Sequence, residues 1–253
     1  MQWPAFLYGL YERRLASGLN VLKLPRHIGV LVDGNRRWAK LAGAPTAEGH
    51  QAGADKIHEF LGWCRELGIQ TVTLYMLSTD NLSRPSEELE DLLGIIENTL
   101  SLLGEPGGPR VQPVGAIELL PASLAAKLEE LKVGTRDRED MHVNVAVGYG
   151  GRREIVDAVR SFLLEQAAAG RSTEQIAESM DAESISRHLY TSGQPDPDLL
   201  IRTSGEQRLS GFMTWQSAYS EFYFCEALWP DFRRVDFLRA LRDFELRSRR
   251  FGG

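Results

Sequence analysis

Short apolar runs alternate with helix-patterned stretches along most of the chain, and that rhythm leaves few folds open. HIGVLV (27–32) is apolar on both faces, as a fully buried strand of a parallel sheet is. A helix is expected from about His50 to Leu67, with Ile57, Phe60, Leu61 and Cys64 at helical spacing, and TVTLYML (71–77) forms the next strand. Ser86 is placed as the N-cap of a helix to about Leu103, with Glu87 and Glu88 in its first turn. EPGGPR (105–110) is a loop, VQPVGAI a weaker strand interrupted by Pro113, and PASLAAKLEELK a helix opened by proline. HVNVAVGYGG (142–151) is a strand ending in a glycine turn, and the helix after it is closed by Gly170. A polar connection and a short helix (181–190) precede the strands DLLIR (198–202) and FYF (222–224). An Arg-rich helix from about 235 to 249 ends the pattern.

Strand–helix alternation of this kind predicts an α/β fold: a single domain with a central, mainly parallel sheet flanked by helices. Right-handed crossovers bring the C-terminal ends of all strands to one edge. Four polar turns, three of them glycine-bearing, should meet there: DGNRRW, STDNLSRP, GYGGRR and RTSGEQRLSG. Ligands of such sheets bind at that edge.

Composition narrows the class. Apolar residues make up 43% of the 253 and charged ones 25%, enough for a large core. A net charge of −6 argues against wholesale nucleic-acid binding. The basic stretch from Arg233 to Arg250 is interleaved with Asp236, Asp243 and Glu245, as in a solvated or dimer-contacting helix. Cys64 and Cys225 stand alone, so neither a disulfide scaffold nor a structural zinc site is expected, and a reducing, cytoplasmic compartment fits. No apolar run approaches the ~20 residues of a membrane span. The N-terminus lacks the pattern of a secretory signal but sets Trp3, Phe6, Leu7 and Leu10 beside Arg13 and Arg14. Such a helix can lie on a membrane surface or pack on the body of the protein, and packing is the preferred reading.

The turns carry the chemistry. In DGNRRW, Gly34 lets backbone approach an anion, and Arg36 and Arg37 offer forked donors suited to phosphate. The lone acid Asp33 fits a hard cation such as Mg²⁺, which takes one or two carboxylates together with substrate phosphates; a plain solvated turn is the bland alternative. RTSGEQRLSG repeats the recipe with Arg202 and Arg208, Arg84 adds a further cation, and Glu221 is a second isolated acid. Together they suggest two phosphorylated groups and a metal. GxxxxGK[ST] and GxSxG are absent, and GYGGRR has Arg153 where the dinucleotide fingerprint needs its last glycine. Leu89, Leu92, Leu93, Ile96, Leu100 and Leu103 form a helical stripe, with Met76 near the end of the second strand. Core packing and the wall of a cleft for an apolar tail both account for that stripe.

HIGVLVDGNRRWAK, GHQAG (49–53), TLYMLSTDNLSRP, GYGGRREI and DPDLLIRTSGEQRLSGFMTWQSAYSEFYF resemble, in order, the motifs of the cis-prenyltransferases, the undecaprenyl diphosphate synthase family. The likeness runs from about Pro25 to Phe251 and is strongest to actinobacterial short-chain Z-farnesyl diphosphate synthases. It implies a catalytic domain over 25–253 behind a helical extension (1–24), a homodimer, and an elongated hydrophobic cleft. It also implies the reaction: isopentenyl diphosphate adds to an allylic diphosphate, diphosphate leaves, and the new double bond is cis. Carried over residue by residue, Asp33 binds Mg²⁺ on the allylic diphosphate, and Gly34, Asn35, Arg36, Arg37 and Trp38 hold that head group with His50 nearby. Ser78, Thr79, Asp80, Asn81, Leu82 and Arg84 belong to a substrate loop in which Asn81 holds the position assigned to proton removal. Arg202, Arg208 and Ser210 hold isopentenyl diphosphate, and Glu221 completes the metal environment.

The chain departs from the family pattern in places. Thr46 stands where many members carry an Arg, Leu82 where a Trp is common, and Asp80 where Glu is usual. Met76 replaces the small Ala of long-chain members, so the resemblance implies a capped tunnel and a fifteen-carbon product made from geranyl diphosphate. Longer products from farnesyl diphosphate are the alternative. A non-catalytic partner subunit is disfavoured because Asp33, Arg37, Arg202 and Arg208 are all present, and a nicotinamide oxidoreductase because the glycine fingerprint is broken.

Overall fold

The apolar runs assemble as parallel strands because each must bury two faces. In the computed structural model, which describes residues 5–247 and side chains from residue 9, the elements follow in the order α1 (Ala5–Ser17), β1 (His27–Leu31), α2 (Asn35–Ala42), α3 (Thr46–Glu66), β2 (Thr71–Ser78), α4 (Ser86–Gly104), β3 (Arg110–Val114), α5 (Ala122–Thr135), β4 (His142–Tyr149), α6 (Gly151–Ala168), α7 (Thr173–Ser179), α8 (Ala182–Ser186), β5 (Leu199–Arg202), β6 (Glu221–Phe224) and α9 (Arg234–Leu246). The strands form one six-stranded sheet in the order β3-β4-β2-β1-β5-β6, every pair parallel.

Alternation along each strand sorts the side chains into two cores. Val30, Leu74, Val145 and Ile201 enter a large cluster with residues of α3, α4, α5 and α9, whereas Leu31, Ala146 and Leu200 join Tyr149, Phe212 and Met213 on the opposite face. The larger core is anchored by Trp229, whose ring lies 5.6 Å from both Phe60 and Phe232 and whose Nε1 donates to the Gly53 carbonyl at 2.8 Å. α1 packs on α9 through Leu15 with Val235 and Leu238, while Leu10, the one described residue of the expected apolar face, is exposed. Trp3 lies outside the described residues, as do the side chains of Phe6 and Leu7, and the last helix is described only to Leu246. No described helix is long and apolar enough to cross a membrane.

Several boundaries differ from the expectation, each for a local reason. Pro85, in extended conformation, occupies the N-cap position of α4, so Ser86 is the first helical residue and not the cap. Pro121 likewise precedes α5 and does not open it. α3 starts four residues before His50. α7, hidden in the polar connection, is set by a capping box between Ser172 and Gln175.

Burial also fixes a pH dependence. It holds His50 and His142 down to about 4 and lowers His27, which bonds Thr73 Oγ1 and the Pro195 carbonyl. An unfolded histidine titrates near 6.5, so below that pH the unfolded chain binds more protons, and this stabilisation is lost as pH falls toward 4. Glu154, raised by burial, acts with the opposite sign. The urea midpoint should fall between pH 7 and pH 5, and His142→Gln should make the decline shallower. An unchanged slope in the variant would contradict this account.

Candidate active site

At the C-terminal edge of the sheet lies a cavity of about 950 Å³. Its floor begins where β1 ends. Gly34, with φ 111°, turns the chain into α2 in a conformation that a side chain would strain, and the first free N–H groups of α2 open there. Thr203, just beyond β5, fixes the turn: its hydroxyl accepts from Asp33 N at 3.1 Å and donates to Asp33 O at 2.7 Å. α3 closes against the same turn because Gly49 carries no Cβ, an atom that would lie 2.3 Å from the Asn35 carbonyl. The GHQAG motif is therefore a packing surface for α2.

The charges form a linked set. Arg202, almost fully buried, donates from Nη2 to Asp33 Oδ2 at 2.7 Å, and from Nη1 to Ser210 Oγ at 3.0 Å and to the Arg208 carbonyl. Arg37 donates to the Ser204 carbonyl at 2.9 Å and to Glu206 Oε1 at 3.1 Å. The other Glu206 oxygen accepts from Arg208, so this carboxylate bridges an arginine of the turn after β1 and one of the turn after β5. Ser204 and Ser210 adopt left-handed backbone, with φ 77° and 49°, a strain typical of loops held in place for function. Across the cavity, the Asn81 amide donates to Ser78 Oγ at 3.0 Å, and its carbonyl oxygen accepts from Arg84 Nη2 at 2.9 Å.

Asp33, Gly34, Asn35, Arg36, Arg37, His50, Met76, Ser78, Asp80, Asn81, Arg84, Arg202, Arg208 and Ser210 all line the cavity, as expected of them. Other expected residues do not. Trp38 turns away, its Nε1 donating to Asp231 Oδ1 at 3.0 Å, and so ties α2 to the segment before α9. Thr79 is held by the Tyr149 carbonyl, and Leu82 packs into the large core. The GYGGRR turn braces the site from behind through a hydrogen bond from Gly151 N to the Gly211 carbonyl.

Glu221 is the largest correction. It opens β6 opposite Leu199, which is itself level with Ile28 near the start of β1. Five residues of strand then separate that level from Asp33, on the order of 15 Å at the rise of a β-strand. Its carboxylate accepts from Arg247 at 2.8 Å. Within one chain Glu221 is not in the environment of Asp33. Lys40, Thr46 and Tyr75 also line the cavity, and Glu206 and Thr203 shape it. Of these, Thr46 was marked in the sequence by its departure from the family's Arg, and the Glu of GEQR by its place between two arginines.

A second, apolar space of about 30 Å³ continues from the first, lined by Ile57, Ile95, Ile96 and Thr99 of α3 and α4, with Met76 and Leu92 shared by both. The donor set suits phosphate. Arg202 Nε, Ser204 Oγ and His50 Nε2 are buried polar atoms with no hydrogen-bond partner in the protein. It also suits Mg²⁺ held largely by phosphate and water. Asp33 offers a hard carboxylate that is 41% exposed and faces the cavity.

Residues 31–252 match a family model described as "Putative undecaprenyl diphosphate synthase". The chain is 62% identical to a (2Z,6E)-farnesyl diphosphate synthase of Thermobifida fusca, over 97% of each chain. It is 54% identical to a short-chain Z-isoprenyl diphosphate synthase of Mycobacterium leprae, over 97% of this chain and 95% of that one. Its structure is similar to that of lavandulyl diphosphate synthase from Lavandula x intermedia in complex with dimethylallyl diphosphate, with TM-score 0.85 and 34% identity over 91% of this chain and 99% of the other.

Proposed function

Because the chain belongs to the undecaprenyl diphosphate synthase family of cis-prenyltransferases, we propose that it adds one isopentenyl diphosphate to geranyl diphosphate, forming Z,E-farnesyl diphosphate and releasing diphosphate. One observation carries the reading: two arginine-bearing phosphate turns, joined by the Asp33–Arg202 pair, stand above an apolar wall that includes Met76 and Leu92.

The allylic head group lies at the turn after β1, against the first N–H groups of α2 and the guanidiniums of Arg36 and Arg37. Isopentenyl diphosphate lies against Arg202, Arg208 and Ser210. The isopentenyl π electrons attack the allylic carbon as its bond to diphosphate oxygen breaks, and a proton passes from the isopentenyl unit to a diphosphate oxygen to give the Z double bond. Negative charge develops on the departing diphosphate, where fixed arginine donors are most effective. Asp33 would hold Mg²⁺ on that diphosphate, and the ion when bound supplies further charge neutralisation there. The apolar wall keeps water from the allylic cation.

Asn81 positions and does not take the proton. Its carbonyl oxygen already faces the Arg84 guanidinium, which makes a weakly basic amide weaker still. Asn81→Asp should lower kcat by about 10-fold or more, since the new charge would pair with Arg84 and repel phosphate. Full activity with an unchanged pH profile would defeat this assignment.

Two associations belong to the same reading. The chain pairs with a second copy through the open β6 edge, where Phe222 and Phe224 stack and Tyr219 is exposed. It works in the cytoplasm, its first 24 residues acting as a helical extension beside the membranes that hold long prenyl chains.

The test is incubation of the purified chain with Mg²⁺, isopentenyl diphosphate and dimethylallyl, geranyl or farnesyl diphosphate in turn. Product length and double-bond geometry are then read out. A single addition to geranyl diphosphate is expected, whereas a ladder of long products from farnesyl diphosphate would keep the family and refute the product. Met76→Ala should let products grow by at least one unit, and an unchanged product would remove Met76 as the stop.

A further inference from the structure

β2 does not keep strict alternation to its end. Its pairing with β4 slips after Tyr75: Tyr75 lies opposite Ala146 and Leu77 opposite the next residue, Val147, so β2 spends one extra residue there. Residues three apart in a regular strand face opposite ways, yet with this slip between them Tyr75 and Ser78 line the same cavity. The Tyr75 ring is held from two sides, stacked on Phe212 at 4.8 Å and edge-on to Tyr149 at 5.8 Å. Its hydroxyl therefore has a fixed place in the wall.

That hydroxyl ends a chain of donors. Arg84 donates to the Asn81 side-chain oxygen at 2.9 Å, and the Asn81 amide donates to Ser78 Oγ at 3.0 Å. Ser78 Oγ also accepts from the Asn81 backbone N–H at 3.1 Å, which occupies its second lone pair. The Ser78 proton is left for the Tyr75 oxygen, with which Ser78 hydrogen-bonds. The Tyr75 proton then has only the Tyr149 carbonyl, at 3.5 Å, beyond the range of an O–H···O bond. Each step points the same way, from a guanidinium toward the cavity, and each polarises the next. Burial pushes the phenol up to about 12, and although Ser78 and Arg202 oppose the rise, Tyr75 keeps its proton through the neutral range.

Register says where the donor sits. Tyr75 is level with Leu31 of β1, and Leu31 is level with Arg202 of β5, so Tyr75 and Arg202 stand two strands apart at one height of the sheet. Arg202 Nε is itself buried without a partner. Two unused donors at one height suit an anion with several oxygens.

We infer that Tyr75 is a further binding residue for isopentenyl diphosphate, its O–H donating to an oxygen of the diphosphate that Arg202 holds. Ser78 aims the phenol, and Asn81, tied to Arg84, aims Ser78. The inference rests on the reading of the Arg202 turn as the isopentenyl diphosphate site.

Tyr75→Phe keeps the ring and its stacking and removes only the donor. In steady-state kinetics of the full chain with Mg²⁺, the KM for isopentenyl diphosphate should rise roughly 10- to 100-fold, the weight of one hydrogen bond to a charged group. The KM for geranyl diphosphate and the urea midpoint should stay as they are. In a Ser78→Ala background the same replacement should add a factor of about 2 or less, because the phenol is no longer aimed. An unchanged KM for isopentenyl diphosphate would refute the contact, and a rise in the KM for geranyl diphosphate instead would assign the donor to the wrong substrate. Both KM values raised together with a lowered urea midpoint would make the phenol part of the scaffold. Full additivity with Ser78→Ala would break the chain of donors. All of these leave the reading of the site intact, whereas an unchanged chain that makes no product from any primer would bring down that reading and this inference with it.

Discussion

Replacement of Asp33 by Asn should lower kcat by about 10³-fold and leave the chain folded. Asn is the same size and can still accept from Arg202, which is also held by the Arg208 carbonyl and Ser210 Oγ, so the buried guanidinium keeps its position. What disappears is the negative charge facing the cavity, and with it the hard ligand for a cation on the departing diphosphate. Steady-state kinetics with both substrates decides the matter. A loss confined to kcat, at Mg²⁺ concentrations that saturate the unchanged enzyme, is the expected pattern. A variant that raises only the KM for isopentenyl diphosphate would mean that Asp33 serves merely to orient Arg202.

Trp229→Ala should cost about 3–5 kcal/mol of stability, the range for truncating a fully buried aromatic side chain. The ring meets Phe60 and Phe232 in the centre of the larger core, and its buried N–H finds its partner in the carbonyl of Gly53 inside α3. Trp229→Phe restores most of the apolar contact and loses one hydrogen bond to a carbonyl that α3 itself already pairs, for a loss of about 0.5–1.5 kcal/mol. The Trp229 backbone N–H also bonds the Asp33 carbonyl at 3.0 Å, so activity should fall at temperatures below the unfolding midpoint in the Ala variant. Urea denaturation of the two variants measures both figures. A cost below ~1.5 kcal/mol for Ala would show that the aromatic cluster can close over the gap.

Much of the fold was legible because buried strands and amphipathic helices announce themselves by period. The runs at β1, β2 and β4 are apolar at nearly every position, and the structure buries both of their faces. α7 escaped because its signal is a two-residue capping box in a polar stretch and not a hydrophobic stripe. Within the site, the turns after β1, β2 and β5 were legible because arginine, glycine and a lone acid at a strand end have few other uses. Glu221 came to the metal environment through the family resemblance, and within one chain it lies at the other end of its strand from Asp33. Ten residues after Gly211 the chain has already travelled back to the opposite edge of the sheet. Trp38 and Leu82 went astray for a related reason: a residue within a site motif can serve the scaffold beneath it.

The two outer strands of the sheet are unlike. β3 carries Pro113 within its ladder, and a proline has no N–H to offer an incoming strand. β6 has no proline, is only four residues long, and carries a pair of stacked phenylalanines. Growth by sheet addition is therefore closed on one side and open on the other. Two chains that join through their open sides use up both, and what they then present outward is a pair of blunt margins. In the proposed pairing through β6, the sheet keeps no second proline-free margin at which a further chain could add.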